Sequence, residues 1–265
     1  METLNGVSQT LLIPLYARFL ETQRDDAIIR DEKSREIIDQ LNPDFSQFSK
    51  TIWSTQVGIA IRTEILDRET SNFLKQNPTG VVVNLGAGLC TRFFRVDNGF
   101  VKWFELDLEP VKQLWGKVFT ETECHRYLVY SLLDFSWIDE IKPFAASPIL
   151  FIAEGLLFYF EESEVKEIIT TIKNNFPGSE MLIEAIGPSQ AKNTQKHPVV
   201  SKTDVFFKWG IKTGKDLEQW DKDIKFINEW YYYDKYGSRW RWYRFYRYIP
   251  SLRKGYKIFH IKFNK

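Results

Sequence analysis

Val81-Val82-Val83-Asn84-Leu85-Gly86-Ala87-Gly88-Leu89 decides the fold, together with Trp103-Phe104-Glu105-Leu106-Asp107 a little further on. The first stretch is a β-branched apolar run that ends in a glycine turn. The second is an apolar run that ends in a carboxylate. Two neighbouring parallel strands that hold a nucleoside read this way: the glycines let backbone approach the ligand, and the acid at the next strand tip accepts hydrogen bonds from a ribose diol. An N-cap ahead of Pro110 is a second role open to Asp107.

Working outward from Val81, short apolar runs alternate with amphipathic segments. Strands are predicted over 81–85, 101–106, 126–131, 149–153, 180–186, 225–232 and 256–263, with helices between them, most clearly 110–118 and 162–174. That βαβα rhythm implies an α/β fold with a parallel sheet covered on both faces. Upstream, Leu11, Leu12, Leu15, Tyr16 and Phe19 recur at helical spacing, and two further helices are predicted before the stop at Asn77-Pro78-Thr79-Gly80. The chain reads as one domain over 1–265: a helical cap (1–79), a cofactor-binding core (80–187), a polar lid or substrate insert (188–224), and C-terminal strands with a helix (225–265).

Composition narrows the function. Lys and Arg number 36 against 35 Asp and Glu, so there is no basic excess of the kind a dedicated nucleic-acid binder carries. Two cysteines, Cys90 and Cys124, do not make a disulfide scaffold. His125, His197 and His260 are scattered without metal-ligand spacing, so no metal site is expected. No apolar run reaches the roughly 18 residues that span a bilayer, and the first residues lack the pattern of a secretory leader. The expectation is a cytoplasmic protein, monomer or homodimer, with no nucleic-acid or membrane partner.

Glycine turns of this kind serve both nicotinamide dinucleotides and S-adenosylmethionine. The dinucleotide fingerprint needs a third small residue beside the pyrophosphate, where this chain has Thr91 followed by Phe93 and Phe94. A nucleoside sulfonium without phosphates fits better. Asp134 with Phe135 follows the third strand, where a carboxylate could accept from an adenine amino group; a solvated loop aspartate is the alternative. Glu154 ends Ile149-Leu150-Phe151-Ile152-Ala153. A buried strand-tip acid is costly unless paired, by a ligand ammonium or by a nearby arginine.

The segments Leu11–Arg18, Gly58–Thr63, Asn84–Arg92 and Ala153–Tyr159 together resemble the leucine carboxyl methyltransferase family, in order and over most of the chain. Within it they look most like the bacterial polyketide O-methyltransferase branch. The resemblance implies a class I methyltransferase fold, Rossmann-like, with a seven-stranded sheet whose last strand is antiparallel, behind a helical N-terminal cap. It implies S-adenosyl-L-methionine as methyl donor. It places Arg62 on the cofactor carboxylate, Gly86, Ala87 and Gly88 under the methionine portion, Asp107 on the ribose, Asp134 and Phe135 at the adenine, and Glu154 near the amino group. Arg18 matches more loosely, as a second cation toward the methionine end or the substrate. Cys90 stands where the family pattern usually carries Asp, and Thr91 is expected to restore the lost helix cap through its hydroxyl.

The reaction implied is O-methylation of a small secondary metabolite, a polyketide-like phenol or carboxylic acid. A carboxylate needs no general base, whereas a phenol with a pKa near 10 benefits from one. Tyr159 and His197 are the candidates for such a catalytic role, and Arg18, Tyr159 and Trp209 for the substrate pocket. A protein C-terminal carboxyl methyltransferase is the rival within the family. A nicotinamide-dependent oxidoreductase and an inactive cofactor-binding relative are the rivals outside it. Residues 239–248, Arg-Trp-Arg-Trp-Tyr-Arg-Phe-Tyr-Arg-Tyr, are read as a packed helix. Trp242, Phe245, Tyr246 and Ile249 share one face of it. A lipid-surface or single-stranded nucleic-acid contact is the other reading.

Overall fold

The computed structural model describes residues 7–43, 45, 52–193 and 206–264. Helices α1 (Val7–Thr22), α2 (Glu32–Leu41) and α3 (Ile52–Gln76) come first. Strands β1 (Val81–Leu85), β2 (Lys102–Asp107), β3 (His125–Val129), β4 (Ile149–Ala153), β5 (Glu180–Ile186), β6 (Ile224–Tyr231) and β7 (Tyr256–Phe263) follow. Between them lie α4 (Arg92–Val96), α5 (Glu109–Val118), α6 (Trp137–Ile141) and α7 (Glu162–Asn175). The strands form one sheet in the order β3-β2-β1-β4-β5-β7-β6. β1 to β5 pair in parallel, and β7 runs antiparallel between β5 and β6. The class I methyltransferase topology expected from the resemblance is the one observed, and the expected strands sit within two residues of the observed ones.

The central strands β1, β4 and β5 are buried on both faces, as helix crossovers require. Side chains alternate along each strand, so Val81, Val83 and Leu85 share a cluster with Ile168, Ile169 and Ile172 of α7, while Val82 packs with Ile61 and Ile65 of α3. Each such side chain removed from water is worth about 1.5–3 kcal/mol. Leu15 of α1, Ile37 of α2 and Trp115 of α5 form a third cluster, which fixes the N-terminal cap beside the strand tips.

Helix ends follow local chemistry. The Asp31 carboxylate accepts from the backbone N–H of Ser34 and starts α2; Asn42, at φ 41°, ends it ahead of Pro43. Glu161 and Glu164 make a reciprocal capping box at the start of α7. Thr91 does not cap α4, contrary to expectation. Its hydroxyl donates to Asp31 at 2.6 Å instead, because that buried carboxylate lies within reach of the turn.

The Arg–aromatic segment also departs from the expected helix. Arg241–Tyr248 winds as a 3₁₀ helix, with three residues per turn. The sequence has the same period: Arg-Trp-Tyr, Arg-Phe-Tyr, Arg-Tyr-Ile. Tyr243 and Tyr246 therefore turn inward together, while Trp242, Phe245 and Tyr248 stay exposed. Tyr246, grouped with Trp242 and Phe245 by an α-helical reading, lies on the other side. Among the described residues, no helix is long and apolar enough to cross a membrane.

Candidate active site

Strand order reverses at β1, with β2 on one side and β4 on the other. A crevice opens beyond the carboxyl ends of the strands at such a point. Here it is a cavity of about 620 Å³ lined by Asn84, Gly86, Ala87, Gly88, Glu154, Gly155 and Glu184 from the strand tips. α1 and α3 contribute Arg18 and Arg62, and Tyr232, Tyr243 and Tyr246 also line the cavity.

Gly86 and Gly88 have φ of 61° and 55°, the left-handed region. A Cβ on Gly86 would lie 2.6 Å from Leu156, and one on Gly88 would lie 2.8 Å from Leu11. The turn is therefore packed closely against both leucines, with no room for a larger residue at either position. Asp107 holds it from behind: Oδ2 accepts from the Gly88 N–H at 2.8 Å and Oδ1 from the Leu108 N–H at 2.8 Å. Burial pushes the Asp107 carboxyl above its ordinary value, against those two hydrogen bonds. Leu108, not Asp107, is the N-cap of α5.

Glu154 sits at the β4 tip between two guanidiniums. Oε1 meets Arg62 Nη2 at 2.8 Å, and Oε2 meets Arg92 Nη2 at 2.6 Å. Burial opposes its ionisation, but these two cations win and hold its carboxyl well below the usual carboxylate range. Arg62 Nη1 reaches Glu184 Oε2 at 2.8 Å, and the same oxygen accepts from the Gly155 N–H at 2.6 Å. The Tyr232 hydroxyl donates to Glu184 Oε1 at 2.7 Å. Arg92 continues to Asp67, which also holds Arg95; Arg95 and Arg18 meet on Asp31. Guanidiniums and carboxylates thus alternate along one chain of pairs, so little net charge is buried. Arg62 Nε, also buried, has no hydrogen-bond partner.

The expected site residues fall into two groups. Arg18, Arg62, Gly86, Ala87, Gly88, Glu154 and Tyr159 line the cavity, with Asp107 directly behind the turn. Asp134, Phe135 and Trp209 are not among its lining residues. Asp134 is exposed, and its Oδ1 accepts from the N–H and hydroxyl of Ser136; Phe135 packs partly against the core. Trp209 is buried beside Trp220. His197 lies outside the described residues. Cys90 is a buried thiol that burial pushes up, 3.6 Å from Arg92 Nη1. Glu184, Arg92, Arg95, Asp31, Asp67 and Tyr232 carry no role in the sequence reading. Glu184 gave the same signal as Glu154, an acid in an apolar strand (Met181-Leu182-Ile183-Glu184-Ala185).

The family model for leucine carboxyl methyltransferase matches residues 12–173. The chain belongs to the leucine carboxyl methyltransferase family. The methyl donor of this family is S-adenosylmethionine. The tetracenomycin polyketide synthesis O-methyltransferase TcmP of Streptomyces glaucescens is 27% identical to it over 228 residues, 86% of this chain and 83% of that protein. An S-adenosyl-L-methionine-dependent methyltransferase of Gibberella zeae, dpfgK, is 25% identical over 67% of this chain and 64% of its own length. In structure, a DUF574 family protein from Streptomyces avermitilis superposes with a TM-score of 0.60 at 11% identity, covering 96% of both chains, and shows the same fold.

The residues present fit the family's cofactor. The positive φ of Gly86 and Gly88 lets the turn's backbone line the cavity, and the unpartnered Arg62 Nε is a donor suited to a ligand carboxylate. The cavity volume lies within the range of roughly 300–1,000 Å³ typical of small-molecule sites. Among the described residues, no group of His, Cys, Asp and Glu is placed to hold a metal.

Proposed function

We propose that this methyltransferase acts on an oxygen of a small acceptor, a polyketide-like carboxylic acid or phenol, and that an ionised carboxylate is the better-supported acceptor. The observation that carries this reading is the cavity itself. Its lining combines the glycine turn and the Arg62–Glu154 pair with the tyrosines Tyr159, Tyr232, Tyr233, Tyr243, Tyr246 and Tyr256, in a volume suited to a small, largely apolar molecule. The naming of TcmP as a polyketide O-methyltransferase supports the same class.

In this reading Arg62 takes the cofactor carboxylate, the Gly86–Gly88 turn passes under the methionine portion, and Asp107 takes the ribose. Asp134 and Phe135 serve the adenine, and Glu154 draws the amino group. Arg18 serves the methionine end or the acceptor, Tyr159 lines the methyl-transfer region, and Trp209 acts on the acceptor pocket from the core behind it. When bound, the cofactor supplies an electrophilic methyl on a sulfonium: the acceptor oxygen forms the new O–CH₃ bond as the S–CH₃ bond breaks and a neutral thioether leaves. Proximity and a dry site supply much of the rate of such a displacement.

The described lining groups offer poor bases. Glu154 is held ionised by Arg62 and Arg92, and so is a weak proton acceptor. Tyr159 is pushed up to about 12 by burial, reinforced by Glu184. A carboxylate, with a pKa of about 4, arrives already ionised. The test is release of S-adenosylhomocysteine with a panel of aromatic acids matched to phenols of the same skeleton. Turnover on the acids with a flat rate from neutral pH upward is expected. Turnover confined to amines, thiols or protein C-termini refutes the proposal. Calorimetric titration checks the cofactor reading separately, and binding of NAD in place of S-adenosylmethionine overturns it.

A further inference from the structure

The 3₁₀ segment Arg241–Tyr248 presents two outward stripes that the reaction does not use. One is aromatic: Trp242 is 57% exposed, Phe245 54% and Tyr248 74%. The other is cationic: Arg241, Arg244 and Arg247, three residues apart. Isolated apolar side chains on a surface need no explanation, but three large rings in a row beside three cations do. Neighbouring arginines show how this fold treats a cation it uses internally. Arg239 is bound by Glu21 and Asp26, and Arg253 by Asp234. Among the described residues, no carboxylate pairs with Arg241, Arg244 or Arg247. Their guanidiniums lie over rings instead: Arg241 over Trp53, Arg244 over Phe245 and Arg247 over Tyr248.

We propose that the segment Arg241–Tyr248 is a docking surface for an anionic lipid bilayer. Its charge is complementary to anionic headgroups, and rings flanked by arginines belong at the level where headgroups meet acyl chains. The segment lies flat on the protein, so it seats in the interfacial plane rather than spanning the bilayer. A second copy of this chain fits poorly, because a two-fold contact sets like cations against each other. Single-stranded nucleic acid fits less well too. Arg244 and Arg247 already cover a face of Phe245 and Tyr248 that a base would stack on, and the near-neutral chain offers no wider basic track for a phosphate backbone. Tyr243 and Tyr246 of the same segment line the cavity, so docking sets the cavity's aromatic wall against the lipid. This departs from the expectation of no membrane partner, and it stands whichever acceptor the enzyme uses.

The test is flotation of the full chain with vesicles of phosphatidylcholine alone and of phosphatidylcholine with phosphatidylserine. Partitioning onto the anionic vesicles, weakened by salt, is expected. Each arginine near such a surface contributes about fivefold, so R244Q/R247Q loses roughly thirtyfold by the same rule. A triple variant W242S/F245S/Y248S loses binding while keeping the salt dependence of what remains. These side chains are exposed, and an unchanged unfolding midpoint verifies that the variants fold. Equal partitioning onto both vesicle types, unchanged partitioning of both variants, or retention on a single-stranded oligonucleotide that anionic vesicles do not displace overturns the proposal.

Discussion

Replacing Arg92 by methionine tests the alternating charge chain beneath the cavity. Arg92 is 1% exposed, and its guanidinium bridges Asp67 at 2.8 Å and Glu154 at 2.6 Å. It does not line the cavity, so the variant reports on the network without removing a ligand contact. Breaking a buried pair by removing one partner costs about 3–5 kcal/mol, because an uncompensated charge is left behind. Here both stranded carboxylates keep another guanidinium, Glu154 on Arg62 and Asp67 on Arg95. The loss therefore belongs at the lower end, about 3 kcal/mol, or roughly 6–12 °C in Tm for a domain of this size. Urea unfolding at several pH values gives the number and its sign. Glu154 is depressed in the folded state, so its stabilisation is present above the ordinary carboxylate pKa of roughly 4 and drains as pH falls below it. In R92M that depression shrinks, so the gap between wild type and variant narrows as the pH drops. A loss below about 1 kcal/mol at neutral pH, within the range of ordinary surface pairs, or a gap that widens in acid, refutes the argument.

Three more outcomes follow from the geometry. Gly86→Ala, at φ 61° and 2.6 Å from Leu156, costs about 1–2 kcal/mol of stability and weakens cofactor binding by calorimetry; wild-type affinity would show that the turn does not cradle the ligand. Tyr159→Phe leaves kcat on a carboxylic acid acceptor within a few-fold, whereas a general base would cost about 10²–10⁴; its pKa, pushed up to about 12, makes it a poor proton acceptor. Lys257 is fully buried against the carbonyls of Ile211, Lys212 and Lys254, and burial lowers its ammonium to about 8. The unfolded chain then binds the extra proton between that value and the ordinary lysine pKa, so wild-type stability gains on that of Lys257→Met as pH rises through this window. Parallel stability curves over the same window would show that the lysine is not desolvated.

The fold was legible because its signals are local. Val81–Leu85 and Ile149–Ala153 announce buried parallel strands by composition, Gly86 and Gly88 announce a positive-φ turn, and Asn42-Pro43 and Asn77-Pro78 announce helix stops. Strand-tip acids were legible too: Asp107 and Glu154 stand out because an acid after an apolar run is costly unless something meets it. Glu184 carried the same mark within β5, yet its partners Arg62 and Tyr232 come from α3 and from beyond β6.

Sequence by itself determined the strand positions and the glycine turn, which depend on residues close together along the chain, and four short motifs in order pointed to the family and through it to the sheet. Tertiary structure alone decided who pairs with whom. Thr91 turns from a helix cap to Asp31 because the fold brings that carboxylate, sixty positions earlier in the chain, within reach of it. Glu154 is met by Arg62 and Arg92 at once because α3 and the start of α4 converge on the β4 tip. The period of three in Arg241–Tyr248 was always in the letters. Which stripe faces the cavity and which faces solvent was set by the packing of Tyr243 on Trp53 and of Tyr246 on Tyr233, contacts between segments that no local pattern encodes.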